Sequence, residues 1–158
     1  MCTFWNRFRR IVVTSLAVAA LVGAPVCAAG ASPDSSRSGV VKIVVSLSSQ
    51  RIQLFNSAGK VVASYPVSTG LIKPTPRGTF TVTSKSRRTQ SPDGSYKMEW
   101  MVRYSGKIGF HGIPRLHGKV VKTPLGRRPS SHGCVRMSDT DAQEVFTQVA
   151  VGTKVVVR

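Results

Sequence analysis

The pattern of hydrophobic and polar positions predicts a chain built mainly from β-strands. Residues 40–47 are dominated by β-branched side chains, and residues 51–55 alternate polar with apolar side chains, as a half-buried strand does. Residues 60–67 form a third segment of this kind, and short polar loops join all three. Such short connections favour an antiparallel meander.

Further strands are predicted downstream, at residues 79–84, 97–104, 107–110 and 153–157. Residues 85–96 are basic and polar, so we expect a surface excursion there that is able to act as a lid. Residues 112–130 are rich in proline and glycine, which predicts a long irregular segment. Irregular segments of this length in small domains are usually functional or disordered.

One helix is predicted near the C-terminal end, at residues 139–149. Ser138 is a suitable N-cap, and Asp141 three residues later resembles the second half of a capping box. Apolar side chains then recur at helical spacing, at Ala142, Val145, Phe146 and Val149. Gly152 is expected to end the helix. The predicted fold class is therefore mainly β with one short C-terminal helix.

The first 31 residues do not share the β pattern. Arginines in the first ten residues precede an apolar run at residues 11–22, and small residues follow. This order is typical of a secretory signal peptide, here residues 1–31 with cleavage before Ser32. The run is short for a membrane-spanning helix, which needs about 20 residues. An uncleaved anchor is nevertheless the alternative, because the apolar run extends to Val26 if Gly23 and Pro25 are tolerated within it.

The chain length of 158 residues fits one domain at residues 40–158, joined to the signal peptide by a linker at residues 32–39. The signal peptide predicts export to the periplasm or cell wall. With 23 Lys and Arg against 6 Asp and Glu, the surface should attract polyanions. Export and the lack of a recognition motif exclude nucleic acid, whereas anionic wall polymers fit. A basic surface that is merely solvated is the alternative.

Signal cleavage would leave Cys134 as the last cysteine, because Cys2 and Cys27 lie in the signal peptide. An exported protein with one unpaired cysteine is a candidate for a reactive thiol, although a buried inert cysteine is the alternative. Thiols attack carbonyls as thiolates. We therefore expect an imidazole or backbone N–H groups to lower the pKa of Cys134 from about 8.5.

The residues around Cys134 include candidates for the other parts of an acyl-transfer site. His111, at a predicted strand end, is the candidate base, and Gly112 after it leaves room for substrate. His117, in the irregular segment, is the rival base. His132 is too close to the cysteine in sequence to be the obvious base, so it is expected to orient the loop or to hydrogen-bond the substrate.

Backbone N–H groups of Gly133 and Cys134 are candidate donors to an oxyanion, because glycine permits the backbone angles that turn an amide inward. Arg136 offers a planar fork for a carboxylate on substrate or on the protein itself. A different hypothesis is a zinc site, with ligands from His111, His117, His132 and Cys134. The His-x-Cys spacing is unlike common zinc patterns.

The string Ser-His-Gly-Cys-Val-Arg-Met at residues 131–137 resembles the catalytic motif of the YkuD-type L,D-transpeptidase domain. Upstream landmarks resemble the same family, with Pro-Val-Ser-Thr-Gly at residues 66–70 and Thr-Pro-Arg-Gly-Thr-Phe at residues 75–80. The resemblance runs from residue 40 to residue 158. It implies a YkuD-like fold, a β-sandwich or mixed sheets, and an enzyme that needs no metal or cofactor.

The resemblance also implies peptidoglycan stem peptides as substrates and a role in cell wall biogenesis and cell shape. Cys134 would attack the third residue of a tetrapeptide stem, D-alanine would leave, and an amine of a neighbouring stem would complete a 3-3 cross-link. His111 would transfer the protons, supported by Ser131, His132, Gly133, Gly112 and Arg136. L,D-carboxypeptidase activity and anchoring of proteins to the wall are alternatives on the same thioacyl mechanism. A non-catalytic wall-binding protein is a further alternative.

Overall fold

The computed structural model describes residues 39–158. The predicted signal peptide at residues 1–31 and all of the predicted linker except its last residue lie outside the described residues. Across residues 39–158 no helix combines the length and the apolar character that crossing a bilayer requires.

The described chain contains strands of very different lengths and one short helix, which confirms the predicted fold class. The strands are β1 (Val40–Ser46), β2 (Arg51–Phe55), β3 (Val61–Pro66), β4 (Gly78–Thr81), β5 (Ser84–Gln90), β6 (Tyr96–Ser105), β7 (Ile108–His111), β8 (Arg115–Leu116), β9 (Lys119–Val120), β10 (Val135–Arg136) and β11 (Val149–Val157). The helix, α1, spans Asp139–Gln148 and lies between β10 and β11 in the chain.

The first sheet has the strand order β3-β2-β1-β11-β4. Strands β1, β2 and β3 pair antiparallel in succession, so the predicted meander is confirmed. The C-terminal strand β11 pairs with β1 in parallel, with Ile43 opposite Val155. This pairing brings the two ends of the domain together at the centre of one sheet.

The second sheet has the order β10-β7-β6-β8-β9, and β5 pairs with the other side of β6. The expectation of a surface excursion at residues 85–96 is therefore wrong, because β5 and β6 form an antiparallel pair there. Strand β5 lies at a sheet edge and its side chains are polar and partly exposed, so it lacks the apolar alternation that marks a strand. The expected irregular segment also contains a short hairpin, β8 and β9.

Buried side chains of both sheets form a single hydrophobic core, as in a sandwich. Helix α1 covers part of this core with Ala142 and Val145, and its N-cap is confirmed: Asp141 N donates to Ser138 Oγ at 3.1 Å. The helix ends at Gln148, and Gly152 lies within β11. The expected helix end at Gly152 is wrong because Val149 already pairs with β1 as a strand residue.

Candidate active site

The candidate site is built on the short parallel pair of β7 and β10. In this pair Phe110 lies opposite Val135, and His111 lies opposite Arg136. Side chains alternate between the two faces of a sheet, and Phe110 and Val135 are fully buried in the core. His111, Arg136 and Cys134, which precedes β10, therefore share the opposite face. The strand register thus brings together residues that are far apart in sequence.

That face lines a cleft of about 880 Å³. Cys134, His111 and Arg136 all contribute to its wall. The other lining residues come from the loop after β3, the β5–β6 hairpin, the start of β7 and the segments around His111 and Cys134: Ile72, Lys73, Thr89, Gln90, Ser91, Pro92, Asp93, Tyr96, Met98, Met101, Arg103, Lys107, Ile108, Pro114, Ser131 and His132. The β5–β6 hairpin that was expected to be a surface excursion therefore forms one wall of the cleft.

His111 is held in one tautomer by a backbone carbonyl. Its Nδ1 lies 2.6 Å from the carbonyl oxygen of Gly112, and a carbonyl oxygen only accepts. Nδ1 therefore carries the proton, and the Nε2 lone pair of the neutral ring is left to accept another. Burial, with a smaller contribution from the nearby Arg136 guanidinium, lowers the pKa of His111 to about 4, although the Gly112 carbonyl and the Asp139 carboxylate oppose this effect. At neutral pH the ring is an uncharged base.

Cys134 is partly exposed to the cleft, and its Sγ lies 3.8 Å from the carbonyl oxygen of Lys107. Burial raises the pKa of its thiol, although the Gly109 N–H and the cations Arg136 and Arg103 oppose this effect. The expectation of a lowered pKa is therefore wrong, because desolvation of the sulfur outweighs the groups that favour the thiolate. The resting pair is a neutral thiol and a neutral imidazole.

The loop before Cys134 is closed by Ser131. Its Oγ donates to the carbonyl oxygen of Cys134 at 2.5 Å and accepts from the N–H of Gly133 at 3.0 Å. The Gly133 N–H is therefore already bonded inside the loop and is not free to donate to an oxyanion, contrary to expectation. The Cys134 N–H, in contrast, has no hydrogen-bond partner within residues 39–158. Gly133 has φ +128°, a backbone angle that residues with a Cβ rarely adopt, which explains why a glycine occupies this position.

Thr75 supports this loop from the segment after β3, and it is a site residue that was not predicted from the sequence. Its Oγ1 donates to the carbonyl oxygen of Gly133 and accepts from the N–H of Gly70, both at 2.8 Å. The N–H groups of Leu71 and Ile72 bond to the carbonyl oxygen of Ser131. The landmark at residues 75–80 was the sequence signal for this role.

Asp139, the first residue of α1, is a second residue that sequence reasoning missed. One carboxylate oxygen accepts from the N–H of Ile113 and the other from Arg115 Nη2, each at 2.9 Å. A Cβ on Gly112 would collide with this carboxylate. Gly112 therefore leaves room for Asp139, and the expectation that it leaves room for substrate is wrong. Asp139 fixes the segment that carries the carbonyl bonded to His111.

Arg136 is an almost fully buried cation in the cleft wall, with 6% of its surface exposed. Its Nη1 donates to the carbonyl oxygen of Ser130 at 3.3 Å, and its Nε has no partner. The ion pairs found within residues 39–158 do not include it, so the alternative of a structural salt bridge is not realised in the described part of the chain. Arg103, by comparison, donates to Ser86 and Thr89.

The two remaining histidines differ in position. His132 is exposed and lines the cleft, with its ring centroid 6.2 Å from that of Tyr96. His117 is exposed at the turn between β8 and β9 and is not among the cleft residues. Within the described residues no group of three or more His, Cys, Asp or Glu side chains is placed to hold a metal ion, so the rival hypothesis of a four-ligand zinc site is not supported.

A thiol, an imidazole whose Nε2 is left to accept a proton and a backbone N–H without a partner beside a cleft are the components that cysteine-dependent acyl transfer requires. The model of the YkuD family, described as the L,D-transpeptidase catalytic domain, matches residues 41–157. The chain belongs to this family.

Known proteins agree with this assignment. The YkuD protein of Bacillus licheniformis is 31% identical over 117 residues, a match that covers 72% of this chain and 63% of that protein. The fold matches an L,D-transpeptidase from Mycobacterium smegmatis with a TM-score of 0.63 at 24% identity, covering 76% of this chain and 59% of the other.

A second solved structure is L,D-transpeptidase 3 from Mycobacterium tuberculosis in complex with a faropenem-derived adduct. It matches with a TM-score of 0.61 at 26% identity, covering 76% of this chain and 60% of the other. The chain thus spans less than two thirds of the length of these relatives.

Proposed function

We propose that this protein is a peptidoglycan L,D-transpeptidase that transfers a stem-peptide acyl group through Cys134. The observation that carries the proposal is the placement of His111 and Cys134 on one face of the β7–β10 pair, with Nδ1 of His111 bonded to a carbonyl oxygen. That bond leaves Nε2 as the proton acceptor for a thiol in the same cleft. Membership of the YkuD family supports the same reaction.

In the first half-reaction, His111 Nε2 takes the thiol proton as the sulfur attacks the carbonyl carbon of the third residue of a tetrapeptide stem. A neutral thiol and a neutral base suit this concerted transfer, since neither carries a charge that must first be desolvated. The Cys134 N–H is the candidate donor to the oxyanion. The carbon–nitrogen bond then breaks, and the imidazolium returns its proton to the nitrogen of departing D-alanine.

In the second half-reaction, the amine of a neighbouring stem attacks the thioester and gives a proton to His111. The new carbon–nitrogen bond forms, the carbon–sulfur bond breaks, and the sulfur takes the proton back. The product is a 3-3 cross-link. Water as the acceptor would make the enzyme an L,D-carboxypeptidase, and an amine of a protein would anchor that protein to the wall.

The proposed site of action is the periplasm or the cell wall, reached by export with signal cleavage near residue 31. This rests on the sequence pattern of residues 1–31. The basic surface is proposed to retain the enzyme near anionic wall polymers. His132, exposed in the cleft wall beside Tyr96, is proposed to contact the substrate.

Incubation of the protein without residues 1–31 with purified tetrapeptide muropeptides, followed by mass spectrometry, tests the proposal. We expect cross-linked dimers and one free D-alanine for each dimer. Trimmed tripeptide without dimers would assign carboxypeptidase activity instead. If neither product forms with the wild-type protein, the proposed function is wrong, and the variant Cys134→Ala provides the background of each product.

A further inference from the structure

Arg136 is a buried cation for which residues 39–158 provide no anion. Its guanidinium carries five N–H donors, yet the contacts within residues 39–158 pair it only with the carbonyl oxygen of Ser130. Burying an unpaired charge is costly, and buried donors are nearly always satisfied in folded proteins. Arg136 contributes to the lining of the cleft, so a ligand that enters the cleft can reach its guanidinium.

The position of Arg136 relative to the reacting groups is set by the strand register. It lies directly opposite His111 in the parallel pair and two residues beyond Cys134. Two residues of extended chain span about 6.6 Å. A group bound by Arg136 therefore lies on the His111 side of the sulfur, where the leaving nitrogen must also lie in order to receive its proton.

We propose that Arg136 binds the C-terminal carboxylate of the residue that leaves, and so selects donors in which one residue follows the scissile bond. The inference rests on the proposed function, since it assigns part of the same donor. In a tetrapeptide the carboxylate of D-alanine is attached to the carbon next to the leaving nitrogen. A planar guanidinium fork is the group best suited to a carboxylate there.

A carboxylate site at Arg136 would distinguish donor peptides by their length. In a pentapeptide the same place is occupied by a neutral peptide group, and the terminal carboxylate lies one residue further away. The buried Arg136 charge would then remain unpaired. Arg136 thus favours tetrapeptide donors without any contact to the sugar chain or to the first residues of the stem.

The donor also carries other carboxylates, including one on the side chain of its third residue. That side chain leaves the donor on the carbon preceding the scissile carbonyl, which places it on the acyl side of Cys134. Arg136 and His111 lie together on the other side of the bond, by their pairing in β7 and β10. The geometry therefore favours the terminal carboxylate over the side-chain carboxylate as the partner of Arg136. Donors amidated at one or the other carboxylate distinguish these two possibilities.

The experiment compares kcat/KM for three synthetic donors: the tetrapeptide, the same peptide with C-terminal D-alaninamide, and the same peptide amidated on the side chain of its third residue. For the wild-type protein we expect the D-alaninamide donor to lose about 10- to 100-fold, as for a charged hydrogen bond. In Arg136→Gln that penalty should nearly vanish. An equal penalty for the D-alaninamide donor in both proteins would overturn the inference. So would a penalty for the donor amidated on its side chain that disappears in Arg136→Gln.

Two variants serve as controls. Arg103→Gln removes the same charge from the same cleft, but Arg103 is held by Ser86 and Thr89, so the preference for the tetrapeptide over its D-alaninamide should persist. Arg136→Lys keeps the charge without the fork and should retain part of the preference. If Arg136→Gln fails to fold, as judged by circular dichroism, the wild-type comparison and Arg136→Lys still decide the matter.

A test that needs no peptidoglycan separates this inference from the proposed function. Iodoacetate and iodoacetamide alkylate the same thiol and differ in having a carboxylate or a neutral amide. We expect Arg136→Gln to lower the iodoacetate-to-iodoacetamide rate ratio at Cys134 several-fold more than Arg103→Gln does. An unchanged ratio would overturn the carboxylate site. A lowered ratio without turnover of any donor would uphold the site and reject the proposed function.

Discussion

Each sheet of the domain contains one parallel pair of strands, and the two pairs differ in what they present. In the first sheet β1 and β11 are long and mostly β-branched, and their register places Ile43 opposite Val155, both fully buried. In the second sheet β7 and β10 share a register of only two residue pairs. One of these pairs fills the core, and the other, His111 with Arg136, forms the cleft wall.

The difference shows how a small domain separates stability from chemistry. The β1–β11 pair buries apolar side chains on the core side, and each buried side chain of this size stabilises the fold by about 1.5–3 kcal/mol. The β7–β10 pair instead buries an imidazole and a guanidinium, both of which cost free energy to desolvate. Apolar burial in the β1–β11 pair offsets that cost. Substitutions in the β1–β11 pair should therefore change stability, whereas substitutions in the β7–β10 pair should change the reaction rate.

The largest expected effect is that of Cys134→Ala. We expect the wild-type protein to gain one covalent equivalent of a carbapenem, because the thiol opens the ring by the same attack that it makes on a peptide carbonyl. The alanine variant should gain none. Intact-protein mass spectrometry measures the adduct, and an adduct of equal size on the variant would exclude Cys134 as the nucleophile.

The next largest effect is that of His111→Ala. Loss of a general base typically slows a reaction by about 10²–10⁴-fold, so acylation by the same carbapenem should slow by that amount. His117→Ala is the matched control, since His117 is exposed at the β8–β9 turn, and it should change the rate by less than about twofold. Stopped-flow or time-resolved mass spectrometry gives both rates. The reverse ranking would assign the base to His117.

Local pattern was sufficient for most of the long strands, but not for the edge strand β5 or for the two parallel pairings. The alternation in β1 and β2 and the cap at Ser138 are properties of neighbouring residues, and the structure confirms them. Strand β5 was missed because an edge strand needs no apolar side chains. The parallel pairs join segments far apart in the chain, and no local periodicity reports which strands will meet.

Local sequence pattern also predicted only part of the candidate site. The motif around Cys134 and the strand-end position of His111 were visible in the sequence, and the structure places both in one cleft. The contact of Asp139 with the segment after His111 was not visible, because the helix N-terminus that supplies it is 27 residues away in sequence from Gly112. The raised pKa of Cys134 depends on burial, which spacing alone does not reveal.

A smaller effect is expected from Val155→Ala in the long parallel pair. Val155 is fully buried, so truncating it should lower the free energy of unfolding by about 2 kcal/mol. Acylation, measured well below the unfolding temperature, should be unchanged. Val151→Ala is the matched control on the same strand, because Val151 is 59% exposed and should lose less than about 0.5 kcal/mol. A rate loss in Val155→Ala alone would contradict the separation of stability from chemistry.

The smallest expected effect is the response of acylation to pH. His111 has a pKa of about 4 and the pKa of Cys134 is raised, so both stay neutral across the range between these values. The acylation rate should therefore vary by less than about threefold from pH 5.5 to pH 8 and fall only as pH approaches 4. An inflection near pH 6.5, the ordinary value of an imidazole, would show that His111 titrates as an exposed side chain and would contradict the neutral pair.

Stability must be followed in parallel, because the same shift destabilises the folded state in acid. The unfolded chain binds the His111 proton near pH 6.5 and the folded chain only near pH 4, so the free energy of unfolding falls as pH drops through this interval. In His111→Gln this contribution is absent. Thermal unfolding of both proteins at each pH then separates a loss of rate that comes from protonating the base from one that comes from unfolding.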